Sequence, residues 1–155
     1  MARVSAAQPL PGVAPGDAAA LWWDTARWPS FVEGFAHVHK LEGPWPQPGG
    51  RLVWDARPES DRGRVVERIA GRDGTGGADV ELEDGRLTGT QQVRFAAGRS
   101  GTLVTLELRY EAKAPVPAVA DLVYVRRRVR RGLERTLERF AREVAMEREL
   151  AADVR

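Results

Sequence analysis

A chain of 155 residues with a formal charge of +2 and no cysteine is long enough to bury one core, and a single domain over residues 1–155 is expected. The absence of cysteine excludes disulfide scaffolds, thiolate chemistry and the commonest structural zinc sites. No apolar run reaches the roughly eighteen residues of a membrane span or forms the core of a leader peptide, so a cytoplasmic protein without stable membrane insertion is expected.

The first segment, Arg3 to Ala7, suits a short strand, and Pro9, Pro11 and Pro15-Gly16 then signal turns. Asp17 is placed to cap a helix over AAALWWDTAR, whose alanines and leucine favour that state. Trp28 precedes a proline and is expected to leave helical geometry, while Pro29 opens a second short helix through Val32 and Glu33. Trp22 and Trp23 are adjacent and point about 100° apart on a helix, so one faces the core and the other lies at an edge. The cluster LWWDTARWPSF is read as core packing, with Trp28 and Phe31 docking the short helices onto the end of a sheet.

From Gly34 to Lys113 the pattern becomes one of short alternating runs: FAHVHKLE, RLVWDAR, RVVERIA, ADVELE, RLTGTQQVRFA and TLVTLELRYEAK. Proline- and glycine-rich turns separate them, and Asp84-Gly85 reads as a two-residue hairpin turn, so a six-strand antiparallel meander is expected. In its last strand Val104, Leu106, Leu108 and Tyr110 share one face. After Pro115 and Pro117 the apolar residues recur at helical spacing from Val119 through Leu122, Val125, Val129, Leu133, Leu137 and Phe140 to Val144, predicting a long helix from Val119 to Met146 with this stripe on the sheet. Gly132 interrupts it. A glycine costs about 1 kcal/mol in a helix interior, so the spacing predicts either a bend or a close approach there.

The order of strand, two short helices, six-strand meander and long C-terminal helix resembles the START-related helix-grip superfamily, also called SRPBCC, in its polyketide cyclase/dehydrase-like branch. The segments that carry the resemblance are Asp24-Thr25-Ala26-Arg27-Trp28-Pro29, Gly49 to Trp54, Glu67, Leu87 to Phe95, Gly101-Thr102 and the closing helix. The resemblance implies an α+β fold in which a curved antiparallel sheet wraps around the C-terminal helix and leaves a cavity for apolar molecules. The doubled Trp22-Trp23 departs from the smaller residues usual in that position. The fold alone does not select an activity.

Alternation then nominates the inward residues. The expected ligand-facing set is Trp22 from the first helix, Leu52, Trp54, Glu67, Leu82, Gln91, Val93, Leu106 and Tyr110 from the strands, and Leu122, Arg126 and Val129 from the long helix. Arg126 is expected nearest the apolar stripe, facing an acidic ligand group or Glu67. Three functions are weighed. The first is binding or transport of a hydrophobic small molecule, such as a lipid, polyketide or isoprenoid, without a cofactor. The second is an enzyme resembling polyketide aromatase/cyclases, a lyase or isomerase in which Glu67, Gln91 and Tyr110 position the substrate and move protons. Glu67 equally suits an ion pair with an arginine or exposure on the convex face. The third is anion or nucleic-acid binding through Arg126 to Arg131, although this run winds around the helix and reads mainly as a solvated face, so no nucleic acid is expected. His37 and His39 point the same way from one strand but lack further ligands for a metal site, and none is expected. A homodimer is left open.

Overall fold

The computed structural model describes residues 1–113 and 119–154, with the side chains of 119–121 set aside. The turn expected at Pro115 and Pro117 and the facing of Val119 lie outside the described residues. The elements are β1 (Ala2–Pro11), α1 (Pro15–Trp22), a 3-10 turn (Thr25–Arg27), α2 (Trp28–Phe31), β2 (Phe35–Glu42), β3 (Arg51–Ala56), a second 3-10 turn (Pro58–Ser60), β4 (Arg64–Arg72), β5 (Ala78–Glu83), β6 (Leu87–Ala97), β7 (Gly101–Ala112) and α3 (Val119–Asp153). All seven strands form one antiparallel sheet in the order β1-β7-β6-β5-β4-β3-β2. The meander is as expected, and the first strand joins it by pairing with the last.

β1 runs on through both prolines that were read as turns, pairing Pro9 with Leu103 and Pro11 with Gly101. It is an edge strand, where a residue without an N–H can turn its donor-less side away from the neighbour. α1 starts three residues earlier than expected, with Pro15 in its first turn and Ala14 at the N-cap without a side-chain bond, so Asp17 is a first-turn carboxylate rather than the cap. Asp24 is the aspartate that caps: its carboxylate accepts from the Ala26 N–H at 3.1 Å and ends the expected single helix by starting a 3-10 turn. Trp28 keeps helical angles (φ −58°, ψ −34°) despite the following proline. Its indole N–H donates to the Trp22 carbonyl at 2.7 Å and its side chain is buried, so tertiary contacts override the local preference.

The core lies between the inner face of the sheet and the helices. Trp22 packs edge-on against Phe140 and Phe95 and tilted against Phe31, with ring centroids 5.0, 6.3 and 5.4 Å apart. Trp23 faces another wall, as its adjacent position requires, yet it is also buried. It meets Trp45 at 5.9 Å, lies under the Arg72 guanidinium at 4.9 Å and donates to the Gly76 carbonyl at 2.8 Å, so the loop GRDGTGG covers it as well as connecting β4 to β5. Gly76 has φ +92°, and a Cβ there would collide with the Ala19 methyl, so the loop reaches α1 only with glycine at this position.

α3 continues seven residues beyond the expected end at Met146. Its stripe is not uniformly buried. Leu133, Leu137, Phe140 and Val144 are buried, Val125 and Val129 are only partly so, and Leu122 is 52 % exposed. The C-terminal half packs on β1 and α2, while the first half stands away from the sheet. Gly132 sits at this transition in an unbroken helix, and a Cβ there would meet only the Glu33 Cγ at 3.9 Å, an ordinary contact. Close packing is therefore not its reason. His37 and His39 do face one side: their ring nitrogens lie 3.0 and 3.8 Å from the Asp55 carboxylate, in solvent.

Candidate functional site

Where the first half of α3 stands off, a cavity of about 410 Å³ opens between it, the short helices and the inner face of β3 to β7. Trp22 and Trp28 close one end, Trp54, Leu82, Leu106 and Leu108 form the floor, and Val129, Gly132 and Leu133 form the roof. Strand alternation puts one carboxylate in this floor. Glu67 shares a face with Val65 and Ile69 and is only 5 % exposed.

Glu67 is neither paired in direct contact with an arginine nor exposed on the convex side. Its Oε2 accepts the Trp54 indole N–H at 2.6 Å from the neighbouring strand. Burial pushes its carboxyl above the ordinary range, and the Trp54 bond and the nearby positive Arg62 only partly oppose this. The group is thus able to hold a proton at higher pH than a surface glutamate. Arg62 extends the network: its guanidinium stacks 5.0 Å above the Trp54 ring, and its Nε donates to Asp84 at 2.8 Å. The Asp84 side chain is fully buried and also accepts from the Arg86 and Leu87 N–H groups at 2.8 and 3.0 Å. The Asp84 N–H donates to the Leu87 carbonyl, so the hairpin loop holds three residues, Asp84 to Arg86, rather than the expected two.

Arginines ring the mouth. Arg135 and Arg139 share Glu33 at 3.3 and 2.6 Å, and the Glu33 N–H donates to the buried Thr136 hydroxyl, fixing α2 against α3. Arg128 donates to the Ser60 carbonyl at 3.2 Å and ties the first half of α3 to the second 3-10 turn. A second cavity of about 390 Å³ adjoins the first, lined by Tyr124, Val125 and Ala112 and sharing Arg86, Leu87, Arg128 and Val129 with it.

Of the residues nominated from sequence, Trp22, Trp54, Glu67, Leu82, Gln91, Leu106 and Val129 meet in the main cavity. Leu52 and Val93 are buried in the core outside its lining. Tyr110 is buried beyond it, where desolvation raises its phenol pKa and the charge of Arg126 partly opposes this. Leu122 and Arg126 are corrected: both are exposed on the standing-off half of α3, so Arg126 does not face Glu67. Arg62, Asp84 and Arg86 were missed. The only signal was the Asp84-Gly85 turn, whose aspartate serves both the hairpin and a residue 22 positions earlier.

No family model matches the chain, and no curated protein does. Solved structures match over nearly its whole length. TTHA0849 from Thermus thermophilus superposes with a TM-score of 0.75 at 19% identity, covering 94% of this chain and 99% of that one. A START superfamily protein from Mycobacterium smegmatis gives 0.71 at 14% identity, with coverages of 93% and 97%. The AHSA1-like protein from Aeromonas hydrophila gives 0.60 at 16% identity and covers 94% of each chain. The fold is the START-related helix-grip fold, an α+β arrangement of a curved seven-stranded sheet, short helices and a long C-terminal helix. Among the described residues no helix is long and apolar enough to cross a membrane.

Proposed function

We propose that the protein binds and carries a hydrophobic small molecule, of the lipid, polyketide or isoprenoid kind, in the cavity under α3. The observation that supports this best is the cavity itself. It falls within the roughly 300–1,000 Å³ of small-molecule sites, and its floor of Trp54, Leu82, Leu106 and Leu108 carries Glu67 and Gln91, with charged side chains gathered at the mouth. An apolar floor beneath a polar mouth suits recognition of a largely apolar body with a polar end. The indoles of Trp22, Trp28 and Trp54 border it and supply a built-in reporter.

Titration with the neutral amphiphile dodecanol, followed by tryptophan fluorescence and native mass spectrometry, should give saturable binding of one molecule per chain. Leu106→Trp, which projects an indole into the cavity, should abolish it while the protein stays folded. Lack of saturation, or binding indifferent to that substitution, would overturn the reading.

A second reading, a cyclase- or dehydratase-like enzyme, is favoured by the raised proton affinity of Glu67, which suits general acid–base work. Gln91 shares the cavity with it, whereas Tyr110 lies outside the lining. Glu67→Gln separates the two readings: a carrier keeps its ligand and has no turnover to lose, whereas the enzyme keeps binding and loses turnover of a polyketide substrate.

A further inference from the structure

Resting on the carrier reading, we propose that the molecule carried is an anionic amphiphile whose carboxylate or phosphate group sits against Arg86 and Arg128 while its apolar body lies on Trp54 and Leu106. The rim carries more positive charge than its own carboxylates balance. Glu33 is shared by Arg135 and Arg139, and Asp84 is committed to Arg62. Glu67 is turned to the Trp54 indole, and Glu59 is exposed at the edge. Arg57, Arg86, Arg128 and Arg131 border the same cavity without a carboxylate partner among the described residues.

Arg86 is the most telling of the four. Its Nε is buried and has no hydrogen-bond partner among the described residues, although guanidinium N–H groups are strong donors and the side chain cannot shed its charge by losing a proton. Burial of such a donor without an acceptor is unfavourable in the protein alone, and a turn of the guanidinium toward an anionic oxygen in the cavity would relieve it. Position supports the same group. Arg86 and Arg128 border both cavities, so an anion held between them has apolar volume on either side, with Leu87 and Val129 flanking it. A cationic head group would meet the charge of Arg86, Arg128 and Arg62 there, which Asp84 and Asp61 offset only in part. The planar guanidinium fork suits the paired oxygens of carboxylate and phosphate alike.

The test compares four amphiphiles of equal chain length: dodecanoate, dodecyl phosphate, dodecanol and dodecylamine, each titrated against tryptophan fluorescence. Dodecanoate or dodecyl phosphate should bind about tenfold or more tighter than dodecanol, with dodecylamine weakest. Comparison of the two anions distinguishes a carboxylate head from a phosphate one. The preference should shrink with added salt, as expected of a partly exposed charge contact, and Arg86→Met should bind dodecanoate and dodecanol alike. If Arg86→Met melts too low to assay, Arg128→Gln, on the exposed face of the helix, should reduce the preference on its own. Dodecanol binding as tightly as both anions would overturn this inference and leave the carrier reading standing. A preference unaltered in Arg86→Met and Arg128→Gln would also overturn it. Failure of all four to bind would remove the carrier reading and this inference together.

Discussion

Replacing Gly132 tests whether the roof of the cavity is open. The residue lies inside an unbroken helix, has ordinary backbone angles, and presents to its surroundings only the Glu33 Cγ at 3.9 Å from where a Cβ would stand. Alanine therefore collects the helix-propensity difference, about 1 kcal/mol, with no steric term against it. For a chain of this length that gain corresponds to a rise in melting temperature of roughly 2–4 °C. Thermal and urea unfolding of Gly132→Ala read it directly. Gly132→Leu extends the same argument: the longer side chain grows into the cavity, keeps most of the stability gain, and should weaken dodecanol binding by about tenfold or more. A Gly132→Ala protein destabilised by about 1 kcal/mol or more would refute the reasoning, because it would mean that α3 is pressed against its neighbours where the cavity is drawn.

Three further outcomes are expected. Asp84→Ala strips the acceptor from Arg62 and from two backbone N–H groups at a fully buried position and should cost about 3 kcal/mol in urea unfolding; a near-neutral result would show that water replaces the carboxylate. For Glu67 the folded-state pKa is raised by burial, so the native state binds the proton more tightly than the unfolded chain, and that contribution is full below the unfolded value and lost as pH rises through the folded one. Glu67→Gln keeps an acceptor for Trp54, and its melting temperature should gain on the wild type as pH rises from about 4 to 8, a flat difference counting against a desolvated carboxylate. Trp23→Phe removes one of the two donors to the Gly76 carbonyl, leaving Arg72 as the other, and should cost about 1 kcal/mol, with faster amide exchange confined to residues 73–77; unchanged exchange would mean that the indole does not hold the loop.

Much of the sheet was legible because burial on a strand follows a period of two. Val104, Leu106, Leu108 and Tyr110 are all buried, as are Leu87, Val93 and Phe95. The helix stripe was legible only in part. Its spacing tells which side of α3 is apolar, but not how far that side stands from the sheet, so Leu122 and Leu133 looked equivalent and are not. The cap misled because Pro15 opens the first helix and leaves Ala14 at its N-cap instead of Asp17, while Asp24, read as helix interior, caps the following 3-10 turn. The polar network around Glu67 was hidden because its partners come from other strands and loops. The donor to its carboxylate is an indole 13 residues away, and the Arg62–Asp84 pair exists only once β4 and the β5–β6 hairpin are side by side.

The uneven seating of α3 makes it a cantilever. It is clamped from Leu133 to Val144, overhangs from Leu122 to Arg131, and is pinned within the overhang by Arg128 on Ser60. Raising the overhang breaks few apolar contacts, whereas raising the clamp dismantles the aromatic core, so the two events lie far apart in free energy. Motion of the beam over the cavity is therefore separable from melting, and the clamp can be reinforced without stiffening the overhang.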